Sequence, residues 1–292
     1  MKQTKQILFE KIKENKLHKQ GHLRIRQTIP SGYTEIFNLS ALTLPNLQNS
    51  VLELILLSKL SHENILTQKH IKIDSSLSLA ELQFTRSLET TSLERLMLRG
   101  VLEPNHLKYI MFQLFSLVNY FHFNGVVARH LSPANLPVSS SSHASFCDFS
   151  GMRLRDAPNK SALEHHLDIN YAAPELSLNL GRNFFASDVW SLGCILFELA
   201  EHRPLFRVNN SLDLLRAATQ CLGTPAPDEE LAFISSKGTL KWLRSQPFAR
   251  KQAISAWMQG TDPLLRDLLD RCLKIDPRER LSAAEALEHP FF

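Results

Sequence analysis

Ala128-Arg129-His130-Leu131-Ser132-Pro133-Ala134-Asn135-Leu136, followed after a short gap by Cys147-Asp148-Phe149-Ser150, is the stretch whose reading decides the fold. Immediately before it, Leu107 to Phe123 carries Ile110, Leu114, Leu117, Val118 and Phe121 at helical spacing, which predicts a buried central helix leading into a polar loop. After it come Ala173-Pro174-Glu175, then Ser187-Asp188-Val189-Trp190-Ser191-Leu192-Gly193-Cys194, then Asp276-Pro277-Arg278-Glu279-Arg280. Upstream, Leu52-Glu53-Leu54-Ile55-Leu56-Leu57 precedes Leu60-Ser61-His62-Glu63-Asn64-Ile65. From His22 to Leu44 and again from Ile65 to Phe84 the pattern is strand-like, with Gly32 at a turn, and Ser50 to Leu60 is helical in spacing.

Taken in this order, the segments resemble the protein-kinase superfamily. Arg203-Pro204-Leu205-Phe206 and Leu222-Gly223-Thr224-Pro225 narrow the likeness to the group of MAP kinases and cyclin-dependent kinases, Ser282 to Phe292 is similar to a MAP-kinase helix end, and the chain as a whole most resembles a stress-activated MAP kinase. The resemblance runs from about Glu53 to Phe292. It implies an α+β, bilobal fold: a basic segment at 1–20, a small β-rich N-lobe over 21–86 and a larger, mainly helical C-lobe over 87–292.

Composition agrees with that size. A chain of 292 residues, 43% hydrophobic, can bury a sizeable core in one or two domains. Residues 1–20 hold six Lys against Glu10 and Glu14 and so account for the whole formal charge of +4; the remainder has no basic bias toward nucleic acid. That lead-in reads as a solvated face packing on the small lobe, with a docking role or an anionic-surface role as the alternative. The most apolar later stretch, Val189 to Ala200, is shorter than the roughly 20 residues of a membrane span, and the N-terminus has no signal-peptide core. A cytoplasmic or nuclear protein is expected, with Cys147, Cys194, Cys221 and Cys272 as reduced thiols. The run Ser139 to Ser142 reads as a hairpin turn, with a phosphorylation cluster as the alternative.

The resemblance also assigns roles, and several are held by residues of the wrong chemistry. In the family pattern His-Arg-Asp-Leu-x-x-x-Asn the Asp takes the substrate proton, while the Asn and the Asp of Asp-Phe-Gly hold magnesium. Here His130 stands at the base position, Ser132 where a Lys touches the γ-phosphate, Ala128 at the His and Ser150 at the Gly of Asp-Phe-Gly. In the glycine-rich loop only Gly32 remains. No Lys occurs between Lys19 and Lys59; Ser40-Ala41-Leu42-Thr43 resembles the family's lysine-bearing strand, which puts Thr43 at the position of the phosphate-binding lysine and leaves Glu53 without its usual partner, with substitution by a displaced basic residue as the alternative. Asn135 and Asp148 remain as oxygen ligands of the kind magnesium prefers, for weak metal–nucleotide binding or for loop hydrogen bonding alone.

The residues that survive are architectural. The resemblance gives Glu175 and Arg280 the places of a buried ion pair, Asp188 that of the aspartate holding the loop backbone, and Arg129 its structural position. The Thr-x-Tyr switch is replaced by Leu163-Glu164-His165, and Ala172 stands where an Arg shapes the substrate site. Loss concentrated on chemistry, with architecture retained, points to a pseudokinase that acts by binding signalling proteins, such as kinases, phosphatases, scaffolds or their docking motifs. Two readings stay beside it. One is a working serine/threonine kinase in which His130 accepts the proton and Asn135 and Asp148 hold magnesium. The other is a switch that senses Mg-ATP without transferring phosphate.

Overall fold

The computed structural model describes the backbone of residues 24–29, 32–38, 68–74 and 79–85, isolated positions between 52 and 59, residues 60–65, and from residue 90 onward all but 101, 150, 157–167, 179–184, 225–233, 235, 251–253, 255–257 and 259. The fold is α+β and bilobal, and the described residues form two units, one holding the strands before residue 88, the other residues 60–65 and the chain from 89 on.

The first unit is an antiparallel sheet of β1 (Arg24–Ile29), β2 (Gly32–Asn38), β3 (Gln68–Asp74) and β4 (Leu79–Thr85), in the order β1-β2-β4-β3. Ile29 pairs with Gly32, so only two residues join β1 to β2, and Gly32 also pairs with Thr85 of β4. Runs rich in Ile, Phe, Tyr and Thr suit a pleated surface, which is why these segments extend. Leu52, Ile55, Leu56, Ser58 and Lys59 are helical, as their spacing predicts. Thr43, Glu53 and the segment 1–20 lie outside the described residues.

The second unit is mainly helical. After the short strand β5 (Thr91–Ser92) come α1 (Leu93–Leu98) and α2 (Pro104–Phe123). Pro104 opens α2, where its missing N–H costs nothing, and Ile110, Leu114, Leu117, Val118 and Phe121 are fully buried. Each such side chain contributes about 1.5–3 kcal/mol by leaving water. The pairs β6 (Val126–Val127) with β8 (Arg153–Leu154), and β5 with β7 (Pro137–Val138), frame the loop between them. Ser142 N–H donates to Ser139 O and Ser139 N–H to His143 O, so the serine run is the predicted hairpin turn.

Beyond it lie α3 (Pro174–Ser177), α4 (Phe185–Glu201), α5 (Ser211–Leu222), α6 (Lys237–Arg244), α7 (Pro263–Cys272) and α8 (Ala283–Leu287). Asn210, Asp262 and Ser282 cap α5, α7 and α8 by accepting backbone N–H groups of the first turn. α2 packs against α4 and α8, and α4 against α7. Gly193 permits the last contact, since a Cβ there would fall 2.9 Å from Cys272 Cβ. All four cysteines are free and buried, and burial pushes the Cys221 thiol up to about 11. Among the described residues no helix is long and apolar enough to cross a membrane.

Candidate functional site

The loop 128–135 is fastened from beneath by α4. Asp188, fully buried, accepts the Arg129 N–H on Oδ1 at 2.8 Å and the Ala128 N–H on Oδ2 at 2.8 Å, and His122 Nε2 lies 3.0 Å from the same Oδ2. Arg129 sits at φ 66, in the left-handed region where a side chain costs about 1–2 kcal/mol. Charge-assisted hydrogen bonds to Asp188, worth about 1.5–3 kcal/mol each, offset that strain and hold the turn.

The turn sets the positions of the polar side chains beyond it. Asn135 closes a short 3-10 turn, Pro133–Asn135, with its N–H on Ser132 O at 3.0 Å. Its Nδ2 donates to Asp148 Oδ2 at 3.2 Å and lies 3.5 Å from His130 O, the outer limit of a hydrogen bond. His130 Nδ1 is 3.7 Å from Asp148 Oδ2, and the ring is buried, with 2% of its side chain exposed against 18% for Asp148. Phe149 next to Asp148 is buried edge-on against Phe146, which meets Phe121 of α2 in the same way.

The ring of His130 fits because residue 151 has no side chain. A Cβ on Gly151 would stand 2.4 Å from His130 Cγ and 2.7 Å from Nδ1. Ser132 is buried in the same loop. Arg129, His130, Ser132, Asn135, Asp168 and Ala172 line one cavity of about 10 Å³, room for roughly one water molecule. Its far wall, residues 168–172, is anchored by Tyr171: Ser191 Oγ donates to Tyr171 O at 2.8 Å, and the Tyr171 hydroxyl donates to Glu198 Oε2. Burial holds the Glu198 carboxyl above the usual range, and burial followed by that hydrogen bond raises the Tyr171 phenol.

Glu175 and Arg280 meet in the body of this unit with no exposed side-chain surface. Arg280 has five N–H donors, and each has an acceptor: Nε on Lys274 O at 2.7 Å, Nη1 on Glu175 Oε1 and Ala186 O, Nη2 on Glu175 Oε2 at 2.8 Å and Ile275 O at 3.1 Å. The guanidinium also lies 4.8 Å from the Trp190 ring centre.

Of the site residues expected from sequence, the second unit therefore gathers Arg129, His130, Ser132, Asn135 and Asp148 at one loop system, with Asp188 behind it and Glu175 and Arg280 bracing the segment after it. Gly32 is placed only as a backbone position at the start of β2; Ser150 and Leu163-Glu164-His165, like Thr43 and Glu53, are outside the described residues. Two participants were missed by sequence reasoning. Asp168 had a readable signal, an acidic residue in the segment leading to Ala173-Pro174-Glu175, whereas Gly151 had none, because its contact with His130 spans the loop.

A buried clasp under a polar loop, an Asn and an Asp side by side, and a bidentate Arg–Glu brace are the marks of a kinase large lobe. The family model for the protein kinase domain matches residues 38–292, and the chain belongs to that family. Among curated proteins it is similar to mitogen-activated protein kinase HOG1 of Chaetomium globosum, 34% identical over 239 residues, which are 82% of this chain and 64% of that one. It is likewise similar to mitogen-activated protein kinase hog1 of Botryotinia fuckeliana, at 35% identity over 82% and 66% of the two chains. Mitogen-activated protein kinase sakA of Aspergillus fumigatus is 34% identical over 82% and 63%. The chain thus spans a little under two thirds of the length of these relatives.

Proposed function

We propose that this chain is a MAP-kinase-like pseudokinase, acting by binding signalling proteins as an allosteric partner, scaffold or decoy, in the cytoplasm, the nucleus or both. The observation that carries the reading is the state of the base position. A general base must come within about 2.6–3.2 Å of the atom whose proton it takes. His130 instead turns its ring inward against Gly151, with 2% of the side chain exposed. Ser132 cannot supply the cationic contact a lysine would make, and Thr43 at the other lysine position has no charge to offer.

Asn135 and Asp148 fit a magnesium ion by chemistry, both offering hard oxygens on side chains within 3.2 Å of one another. Such an ion would bring Lewis acidity toward a nucleotide's phosphates. The residues themselves bind and orient: Asp148 contributes the charge, Asn135 fixes Asp148 and the loop, and Asp188 keeps the loop in place. Missing lysine and N–H donors remove several charge-assisted bonds of about 1.5–3 kcal/mol each, so Mg-ATP binds weakly in this reading. The same Asn–Asp pair favours the second reading, an atypical serine/threonine kinase of reduced activity. Partners are sought on the outer face of α2, where Tyr109 and Phe112 are partly exposed and docking motifs of kinases, phosphatases or scaffolds would find apolar surface.

Phosphate transfer to the chain itself and to generic protein substrates decides between the two. The expected result is no transfer above a His130→Ala, Asp148→Ala control, and a melting temperature that Mg-ATP raises only at high concentration. Clear transfer abolished by those changes establishes the kinase instead.

A further inference from the structure

We propose that His130, Asp148 and Asn135 form a site for a divalent first-row transition ion of the zinc type, in preference to magnesium. The starting point is His130 Nδ1, which is buried and has no hydrogen-bond partner among the described residues. An unsatisfied buried nitrogen costs about 1–3 kcal/mol, and such a group in a folded protein calls for a physical reason. Its nearest charged neighbour is Asp148 Oδ2, at 3.7 Å.

That separation has a meaning of its own. A hydrogen bond between these atoms needs about 2.7–3.0 Å, so the ring would have to move by most of an ångström to make one. Two ligands that each stand about 2.0–2.2 Å from a shared zinc ion, at a tetrahedral angle, are about 3.3–3.6 Å apart. The observed gap of 3.7 Å is within a few tenths of an ångström of the second arrangement and well outside the first.

Asn135 completes the protein's share. Its amide is 3.2 Å from Asp148 Oδ2, and because amide oxygen and nitrogen are assigned from their neighbours, a half-turn brings Oδ1 to the same point. The set is then one imidazole nitrogen, one carboxylate and one amide oxygen. Magnesium is held by oxygen at near-octahedral geometry and keeps several waters. An imidazole nitrogen instead suits zinc, cobalt, nickel and copper. The imidazole nitrogen of His130 beside Asp148 therefore adds to the Asn135–Asp148 oxygens a donor that changes which ion the loop selects. Asp148 is the group with access to solvent, 18% exposed, and provides the approach. Asp168 lines the same cavity as His130 and Asn135, but among the described residues no three His, Cys, Asp or Glu side chains are grouped to hold a metal, so the ion keeps open positions for water, and binding is weaker than at a closed structural zinc site.

This inference holds whether or not the chain transfers phosphate, and its test does not use activity. Calorimetric titration of the full chain with ZnCl2 and, separately, MgCl2 is expected to show zinc bound at least tenfold more tightly. His130→Ala should lower the zinc affinity at least tenfold and leave magnesium within twofold; Asp148→Asn should weaken both. CoCl2 reads the donor set directly: ligand-field bands in the visible without thiolate charge transfer place the ion on nitrogen and oxygen, away from the four cysteines. Zinc binding that is unchanged in His130→Ala, on others of the twelve histidines, overturns the proposal, as does magnesium bound as tightly as zinc. Should His130→Ala unfold, the zinc-to-magnesium ratio and the cobalt spectrum of the unaltered chain decide alone: a ratio near one, or a thiolate band, refutes it.

Discussion

Gly151→Ala should destabilise the large unit through one side chain, His130. A Cβ at residue 151 falls 2.4, 2.6 and 2.7 Å from Cγ, Cδ2 and Nδ1 of that ring. Non-bonded heavy atoms settle at about 3.5–4.0 Å, so the overlap is about 1 Å against three atoms at once. The near end of a buried ring yields less readily than the tip of a flexible chain, and overpacking of this kind costs about 1–3 kcal/mol. For a unit of this size that is a fall in Tm of about 2–12 °C. The decisive assay is urea or thermal denaturation of four proteins: the natural chain, Gly151→Ala, His130→Ala and the double variant. In the double variant the new methyl enters space the ring has left, so its loss should be smaller than the sum of the single losses by about 1–3 kcal/mol. Losses that add to within about 0.5 kcal/mol would refute the reasoning, because residues in contact do not behave as independent sites.

Glu175→Ala leaves the Arg280 guanidinium buried without its carboxylate, and a loss of about 3–5 kcal/mol by chemical denaturation is expected; under 1 kcal/mol would mean that the pair is not buried as described. Acid sensitivity has a named contributor in Asp267, where the hydrogen bond from His289 Nε2 at 2.9 Å, helped by Arg271, holds the carboxyl below its usual range. The folded state therefore binds fewer protons there than the unfolded chain. Its stabilising contribution is present above the ordinary carboxylate range and is lost as the pH falls through the depressed native value. His289→Ala should flatten the acid limb of a Tm-against-pH curve; an unchanged limb contradicts it.

The large unit was legible because its landmarks are short, ordered and tied to backbone needs. Asp188 must accept two N–H groups of a strained turn, and Arg280 must find five acceptors, so these residue types recur at fixed places along a chain of this fold. The helix Pro104–Phe123 was readable from its apolar spacing alone. In the first unit, strand-like patterning is visible, but period-two alternation does not say which strand lies beside which: β4 sits between β2 and β3, an order no local pattern encodes. The site was half legible. The exchange at His130 can be seen in sequence, yet its consequence depends on Gly151, and packing between residues on different turns leaves no periodic trace. Asp168 could be picked out as an acidic residue ahead of Ala173-Pro174-Glu175, but only folding brings it to the cavity of His130 and Ser132.

The Arg280–Glu175 brace joins residues 105 apart, and this has a consequence for how the chain is made. Closing a loop of that length is entropically dear, and contacts of such range form late in folding. During synthesis Glu175 leaves the ribosome long before its partner, and 105 further residues must follow before the guanidinium arrives. Until then the Glu175 carboxylate has no buried partner, and burying it alone is unfavourable. The brace is therefore expected to complete the large unit only once Arg280 is present, which limited proteolysis of chains truncated before residue 280 would read as cleavage near Glu175.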